Sequence, residues 1–456
     1  MEMSKFLKIR QKIHFIGIGG VGMSSLSLHL KHKGFEVSGS DICAKNAIFL
    51  KKHGIIVQNK HSKYNLKNSK IVVYTSAIKE DNPELKEAKL KGLTLIKRSE
   101  LLGQILDEYS LSIAVSGSHG KTTTTDMLAS VLIESGLDPT VFLGGEDKIF
   151  GNYRFGKGNI VLAEACEYQR NFLDLRPKIS VVLNVDNDHM DTYKDINEAV
   201  DAFKCFIKNS ISVINADDKN AKSLIKPTTI TFGIESPAQF RAKNIRKCQN
   251  GYSFSAYQGS LKLGRIKLSV DGRHNVYNAL CALSVCQTLN IPFSVQKKAL
   301  ERFSGVQRRN EFLGELKNLK VYADYAHHPK EITAMLQTFN NHNQKFITVF
   351  QPHTYSRTAL LMQDFIECFS SCSPLIIYKT FPARESFCPS GSAKTLYKNL
   401  QEKGLDKVYY ANTKKQIIRI IDKFNLCFDK VLFLGAGDIY DLAKSLVQNG
   451  EDKDFN

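Results

Sequence analysis

One segment limits the folds open to this chain more than any other: Ser116-Gly117-Ser118-His119-Gly120-Lys121-Thr122-Thr123-Thr124-Thr125. It follows an apolar stretch, Leu111 to Val115, that reads as a buried strand, and it leads into a helix read over Asp126 to Glu134. Strand, glycine turn, lysine and helix start, in that order, belong to an α/β layer and build an anion cradle. Backbone N–H groups at the helix start face a phosphate, the lysine adds a point charge, and the threonine after it can hold Mg²⁺. The loop is tighter than the common G-x-x-x-x-G-K-[ST] form. Val115 stands where that form has its first glycine, so Gly117 and Gly120 define the turn.

The same alternation of apolar strand and amphipathic helix runs along the whole chain. A first block, from Ile13 to about Ile105, opens with a strand over Ile13 to Ile18 and a turn, Gly17-Ile18-Gly19-Gly20-Val21-Gly22. A helix over Met23 to His32 follows, then strands at Val37 to Asp41 and Ile71 to Thr75, with Ser76 just beyond. The second block starts at Leu111. Its strands at Ile160 to Ala163, Ile179 to Asn184 and Val213 to Asn215 are apolar enough to be parallel and buried on both faces. From Phe240 to Val270 the pattern alternates, with Gly251, Gly259 and Gly264 as turn residues, which predicts antiparallel hairpins on the sheet edge. Helices at Asn275 to Leu289 and Ser294 to Arg302 close the block. A third begins near Glu311, with strands at Val321 to Asp324, Phe346 to Phe350, Leu375 to Tyr378 and Val431 to Leu434. The expectation is three consecutive α/β domains, over residues 1–107, 108–310 and 311–456.

The 456 residues are ample for several buried cores, and 43% apolar with 24% charged residues suits a globular chain. No apolar run reaches membrane-spanning length, and the mixed N-terminal segment reads as no signal peptide. Ten cysteines without paired spacing point to free thiols and a reducing compartment, so a cytoplasmic location is expected. The net charge of +18 is spread along the chain without interleaved aromatics. It reads as solvated surface plus anion sites, and not as a nucleic-acid or membrane face.

Chemistry-bearing residues gather at predicted strand ends. Gly17, Gly19 and Gly22, followed by Asp41, fit a turn that approaches a pyrophosphate, with an acid for a ribose hydroxyl. Alone, this admits an NAD-binding oxidoreductase as well as a sugar-nucleotide site. Glu164 ends one strand and His189 follows the next, at the sheet edge that carries Lys121. A carboxylate and an imidazole facing a polyphosphate are candidate metal ligands. In the third block, Asp324-Tyr325-Ala326-His327-His328-Pro329 and Pro352-His353-Thr354-Tyr355-Ser356-Arg357 follow successive strands. Adjacent histidines diverge and lack partners at zinc spacing, so a pocket with histidine and arginine donors for a carboxylate is the simpler reading.

Taken together, the motifs resemble the Mur ligases of peptidoglycan synthesis, in their muramate-specific branch. The resemblance is carried, in order, by His14 to Ser24, Gly39-Ser40-Asp41, Gly117 to Thr125, Asp188-His189-Met190-Asp191, Gly272 to Ala279, Arg308-Arg309, Asp324 to Pro329, Pro352 to Thr358 and Gly435 to Ile439. It implies a Rossmann-like UDP-sugar domain, an ATPase domain with added antiparallel strands, and a Rossmann-like C-terminal domain that closes on nucleotide and amino acid. The implied activity is ATP-dependent ligation of L-alanine to the lactyl carboxylate of UDP-N-acetylmuramate through an acyl phosphate. A family member that joins a recycled tripeptide to the same sugar nucleotide is the alternative. By resemblance, Gly117, Ser118, His119, Gly120, Lys121, Thr122 and Thr123 cradle ATP. Thr122 and Glu164 hold one Mg²⁺ and His189 a second. His274, Asn275 and Asn278 lie near adenine, and Arg309 and Asp324 reach the nucleotide. Gly19, Gly20, Gly22, Ser40, Asp41 and Ser76 serve the sugar nucleotide, and His327, His353 and Arg357 line the carboxylate and alanine site. Three departures stand out: Ser118 for a usual threonine, Thr354 where some relatives carry arginine, and Cys166, a thiol beside the metal site and a candidate for sensitivity to thiol reagents.

Overall fold

The computed structural model describes residues 11–42, 46–186, 192–249, 251–340, 345–370, 372–383 and 385–451. The chain divides into two compact units, one up to Val306 and one from Gln307. The first unit holds two sheets.

The N-terminal sheet is wholly parallel, in the order β3-β2-β1-β4-β5, from β1 (Lys12–Ile16), β2 (Glu36–Ser40), β3 (Ile56–Gln58), β4 (Ser69–Tyr74) and β5 (Thr94–Lys97). Helices α1 (Val21–His32), α2 (Ala47–Lys52) and α3 (Pro83–Leu90) connect its strands, and α4 (Arg98–Asp107) leads from β5 to the second sheet. Strand order reverses at β1, so the glycine turn after it opens at a switch point, where α/β sheets bind ligands.

The second sheet has ten strands: β6 (Leu111–Ser116), β7 (Thr140–Asp147), β8 (Gly151–Arg154), β9 (Ile160–Glu164), β10 (Ile179–Val182), β11 (Ile211–Asn215), β12 (Ile230–Gly233), β13 (Phe240–Cys248), β14 (Gly251–Gln258) and β15 (Leu261–Lys267). The central strands β10, β6 and β9 are parallel and buried almost throughout. β13 to β15 extend one edge antiparallel, as the alternation predicted. β7 and β8 form an antiparallel hairpin at the other edge that the sequence reading missed. Order reverses at β6, between β9 and β10. Helices α5 (Lys121–Glu134), α6 (Ile196–Phe206), α7 (His274–Thr288) and α8 (Phe293–Arg302) cover it.

Helix α5 corrects one expectation. It starts at Lys121, not Asp126. Four successive threonines are poor helix formers, but their hydroxyls find partners. Thr125 Oγ1 donates to Lys121 O at 2.8 Å and Thr124 Oγ1 to Asn278 Oδ1 at 3.1 Å. The helix is buried on most sides, with Met127, Leu128, Val131 and Leu132 fully inside, so packing overrides propensity.

The two sheets of the first unit are tied together. Asn152 Nδ2 donates to Val21 O at 2.7 Å, His29 Nδ1 lies 3.1 Å from the Tyr153 hydroxyl, and Ser99 Oγ donates to Asn171 Oδ1 at 3.2 Å. Gly103 of α4 packs so closely that a Cβ there would sit 2.2 Å from Asp174 O.

The second unit is a six-stranded sheet, β16-β17-β21-β18-β19-β20, parallel except for β16. Its strands are β16 (Glu311–Leu316), β17 (Leu319–Asp324), β18 (Phe346–Phe350), β19 (Leu375–Tyr378), β20 (Val408–Ala411) and β21 (Lys430–Leu434). Helices α9 (Pro329–Asn340) and α10 (Tyr355–Leu360) leave the ends of β17 and β18. The architecture is three α/β domains in series. No helix among the described residues is long and apolar enough to cross a membrane.

Candidate functional site

The lysine loop is built by its glycines and by a neighbouring strand end. Gly117 has φ +142° and Gly120 has φ +85°, and a Cβ on Gly120 would lie 2.9 Å from Asn278 Oδ1. Beyond β10, Asn184 clamps the loop. Its Oδ1 accepts from His119 N at 2.8 Å, its Nδ2 donates to His119 O at 3.0 Å, and its carbonyl accepts from Ser118 N at 3.2 Å. Ser118 Oγ accepts from Asp186 N at 2.9 Å. Helix α5 starts without a side-chain cap, so its first amides point into the cradle, with Thr123 half-buried in the first turn.

Lys121 Nζ donates to Gly117 O at 2.5 Å and pairs with Glu167 Oε1 at 3.0 Å. Burial is the largest influence and works against its charge, but Glu167, Cys166 and Glu164 together outweigh it and hold the ammonium above its usual range. The sequence reading missed Glu167, which stands three residues after Glu164 in a turn that attracted notice only for its cysteine.

Thr122 and Glu164 meet as expected: Thr122 Oγ1 donates to Glu164 Oε2 at 3.1 Å, and Glu164 Oε1 accepts from Gly144 N at 2.5 Å. A hydroxyl and a carboxylate converging beside a lysine loop are a donor set that suits Mg²⁺. His189 lies outside the described residues. Among those described, no three His, Cys, Asp or Glu groups gather as a metal cage. Behind this pair lies Asp126, fully buried. Burial, with Asp147 and Glu164 adding negative charge, pushes its carboxyl up to about 8.

Cys166 is raised by burial first and by Glu167 second, against the pull of Lys121. This reverses the expectation of a reactive thiol, since the thiolate is the nucleophile. At pH 7.5, iodoacetamide should label exposed Cys205, Cys388 and Cys427 at least about tenfold faster than Cys166, as read by peptide mass spectrometry. Equal rates would show that the thiol is free.

Helix α7 brings Asn275 and Asn278 to the loop. Asn278 Nδ2 donates to Asn275 Oδ1 at 3.0 Å while its Oδ1 accepts from Thr124. His274 stands exposed at the helix start.

In the N-terminal sheet, Gly17 N and Ile18 N donate to Ser40 O at 2.8 and 3.1 Å, and Gly17 takes φ +81°. Asp41, expected at a ribose hydroxyl, turns Oδ2 inward to accept from Gly19 N at 2.8 Å, so it props the turn. Ser40 is fully buried, its hydroxyl donating to Glu84 at 2.5 Å. Gly20 and Ser76 are exposed, with Gly19 and Gly22 half-buried.

The second unit has its own cluster. Asp324 ends β17, and its oxygens accept from Asn310 N and Ala326 N, each at 2.7 Å. Burial raises its carboxyl to about 6 against the pull of Arg309, whose guanidinium lies 5.2 Å over the Tyr325 ring. The rings of His327 and His353 meet edge to face with centroids 5.5 Å apart, and Arg357 Nη1 is 3.5 Å from His353 Nδ1. Burial, then His327 and Arg357, lower His353 to about 4. Two neutral imidazoles beside one guanidinium suit a carboxylate. Thr354 takes φ +65°, rare for a β-branched residue, and caps α10 through Arg357 N at 3.4 Å. Glu385, also missed, accepts from Tyr355 N at 2.7 Å and Ser356 N at 2.9 Å, holding that turn.

Comparison with known proteins follows the same three blocks. Residues 12–110 match the Mur ligase family catalytic domain, 115–286 the Mur ligase middle domain, and 308–437 the Mur ligase glutamate ligase domain. The UDP-N-acetylmuramate--L-alanine ligase of Acetivibrio thermocellus is 41% identical over 449 residues, 96% of either chain. That of Aquifex aeolicus is 40% identical over 440 residues, 94% of this chain and 95% of its own. The crystal structure of the UDP-N-acetylmuramate-alanine ligase of Thermotoga maritima matches with a TM-score of 0.84 at 29% identity, over 97% of this chain and 99% of its own. A murein peptide ligase of Psychrobacter arcticus shares the fold, with a TM-score of 0.72 at 20% identity over 96% of this chain and 98% of its own. Tandem matches across all three sheets, and relatives aligned along nearly the whole chain, lead to one conclusion: the chain belongs to the Mur ligase family.

Proposed function

We propose that this chain joins L-alanine to the lactyl carboxylate of UDP-N-acetylmuramate, cleaving ATP to ADP and phosphate, as a cytoplasmic step in peptidoglycan precursor synthesis. The observation that carries the reading is the Lys121–Glu167 pair beside the Thr122–Glu164 pair, in a loop closed by Asn184. It is the arrangement a ligase needs and an oxidoreductase does not. The roughly 40% identical relatives named as alanine ligases support the choice of amino acid.

In this reading the loop amides from Gly117 to Thr123 take the ATP phosphates. Lys121 turns from Gly117 O toward the γ-phosphoryl group, where preorganised charge does most of the catalytic work. Thr122 and Glu164 would hold one Mg²⁺ and His189 a second, which when bound would screen the phosphates from a carboxylate nucleophile. The lactyl carboxylate attacks the γ-phosphorus and ADP leaves. The alanine amine then attacks the acyl carbon, and phosphate leaves as the amide forms. Asn278 and Asn275 set α7 against the loop on the adenine side, next to exposed His274. Arg309 and Asp324 serve the nucleotide. His353, held neutral, and His327 with Arg357 receive the carboxylates of the muramoyl group and of alanine. Gly19, Gly20, Gly22 and Ser76 meet the sugar nucleotide, with Asp41 and Ser40 supporting the turn from inside.

Purified protein should release phosphate from ATP only when UDP-N-acetylmuramate, L-alanine and Mg²⁺ are all present. Release that ignores the sugar nucleotide would overturn the reading. Release with a tripeptide but not with alanine would move the chain to the recycling activity.

A further inference from the structure

We propose that Arg98 is a substrate-binding residue whose guanidinium pairs with the diphosphate of the sugar nucleotide held at the glycine turn. The inference rests on the reading that this turn takes UDP-N-acetylmuramate, and it adds a residue that no motif reaches.

Arg98 opens α4, whose start is set by Glu100 Oε2 accepting from Lys97 N at 2.9 Å. The side chain packs against Gly22, where the glycine turn runs into α1. A Cβ built on Gly22 would sit 3.1 Å from Arg98 Nη1 and 3.4 Å from its Cδ. A side chain at position 22 would therefore crowd the guanidinium and push it by a few tenths of an ångström, which gives this glycine a reason beyond backbone freedom. Helix α4 is anchored on the far side by Ser99 on Asn171 and by Gly103 on Asp174 O. The arginine is thus held between the turn and the segment that follows Glu164, and its charge reaches Cys166.

The guanidinium has no carboxylate partner among the described residues, although it is only partly exposed. The nearby acid, Asp41, spends Oδ2 on Gly19 N. Helix α1 has neither an acid in its first turn nor a side-chain cap. A half-buried cation without a counter-charge is unfavourable on its own. A planar fork of donors matches phosphate oxygens better than an ammonium does. The contact over Gly22, at the start of α1 where the glycine turn ends, favours the diphosphate over the lactyl carboxylate as its anion.

The test is calorimetric titration of the full-length protein and of Arg98→Ala and Arg98→Lys with three probes: UDP, UDP-N-acetylmuramate and MgADP. Arg98→Ala should weaken UDP and UDP-N-acetylmuramate alike, by about tenfold to a hundredfold. Arg98→Lys should recover part of that loss, and MgADP affinity should not change. Unaltered UDP affinity in Arg98→Ala overturns the proposal. So does loss confined to UDP-N-acetylmuramate, which would assign the charge to the carboxylate, and so does equal loss of MgADP affinity, which would make the role structural. Wild-type protein that binds MgADP but neither uridine ligand would overturn the underlying substrate reading and this assignment with it.

Discussion

Replacing Lys121 by alanine is expected to lower the rate of phosphate release by about a thousandfold, the cost of removing a preorganised charge from a phosphoryl-transfer site. Affinity for UDP-N-acetylmuramate should stay within about twofold of wild type, since the change falls on an interaction used at the reacting phosphate. Among the described residues, the ammonium donates to Gly117 O, Ser118 O and Glu167, all within the loop and the turn after Glu164. One complication is physical. Without Lys121, the Glu167 carboxylate, 3% exposed, loses its cation, and an uncompensated buried charge costs about 3–5 kcal/mol. The double variant Lys121→Ala with Glu167→Gln removes that charge, so a folded and inactive double variant separates chemistry from stability. Rate measurements at saturating substrate, beside titrations with the sugar nucleotide, decide the matter. A collapse of sugar-nucleotide affinity in the folded double variant would place Lys121 in the wrong site.

The second large effect is acid lability of the joint within the first unit. His29 is fully buried between the N-terminal sheet and the β7–β8 hairpin, against Tyr153 and Phe142. Burial, with Lys33 and His32 adding positive charge, lowers it to about 3. The unfolded chain therefore binds a proton on this imidazole at a higher pH than the folded one. Its contribution is fully present above about 6.5 and is lost as pH falls toward 3. One group gives a slope of about 1.4 kcal/mol per pH unit, so close to 3 kcal/mol should be gone by about pH 4.5. His29→Leu should flatten that part of the pH profile of melting. The orphaned Tyr153 hydroxyl sets the variant back by about 1–2 kcal/mol at pH 7.5. An unchanged slope between pH 6.5 and 4.5 would refute the assignment.

The legible parts of the site were those where a few consecutive residues do one job. The segment from Gly117 to Thr122 reads as an anion cradle because turn, charge and helix start are covalently adjacent. Glu164 was placed at the edge that carries Lys121 by the rule that ligands gather at the carboxyl end of a parallel sheet; its pairing with Thr122, far away in sequence, was implied by the family resemblance, and the two side chains do meet. The rule says less about direction. Asp41 faces Gly19 N and Ser40 faces Glu84, because at these positions the strand end points into the domain. The hairpin of β7 and β8 was missed because β8 has only four residues and β7 is interrupted by Gly144 and Gly145, which pass over Glu164 and Thr122.

By itself the sequence determined the layering, three α/β blocks each opening on a turn or strand-end motif, because hydrophobic period and glycine placement are local properties of the chain. Only the tertiary structure decided which charges those motifs meet. Lys121 is matched to Glu167, the loop to Asn184, Arg98 to Gly22, and His29 to the hairpin of the next sheet. Each of these partners arrives from another element, and the free energy of a buried charge depends on what packing places beside it and not on its neighbours in sequence.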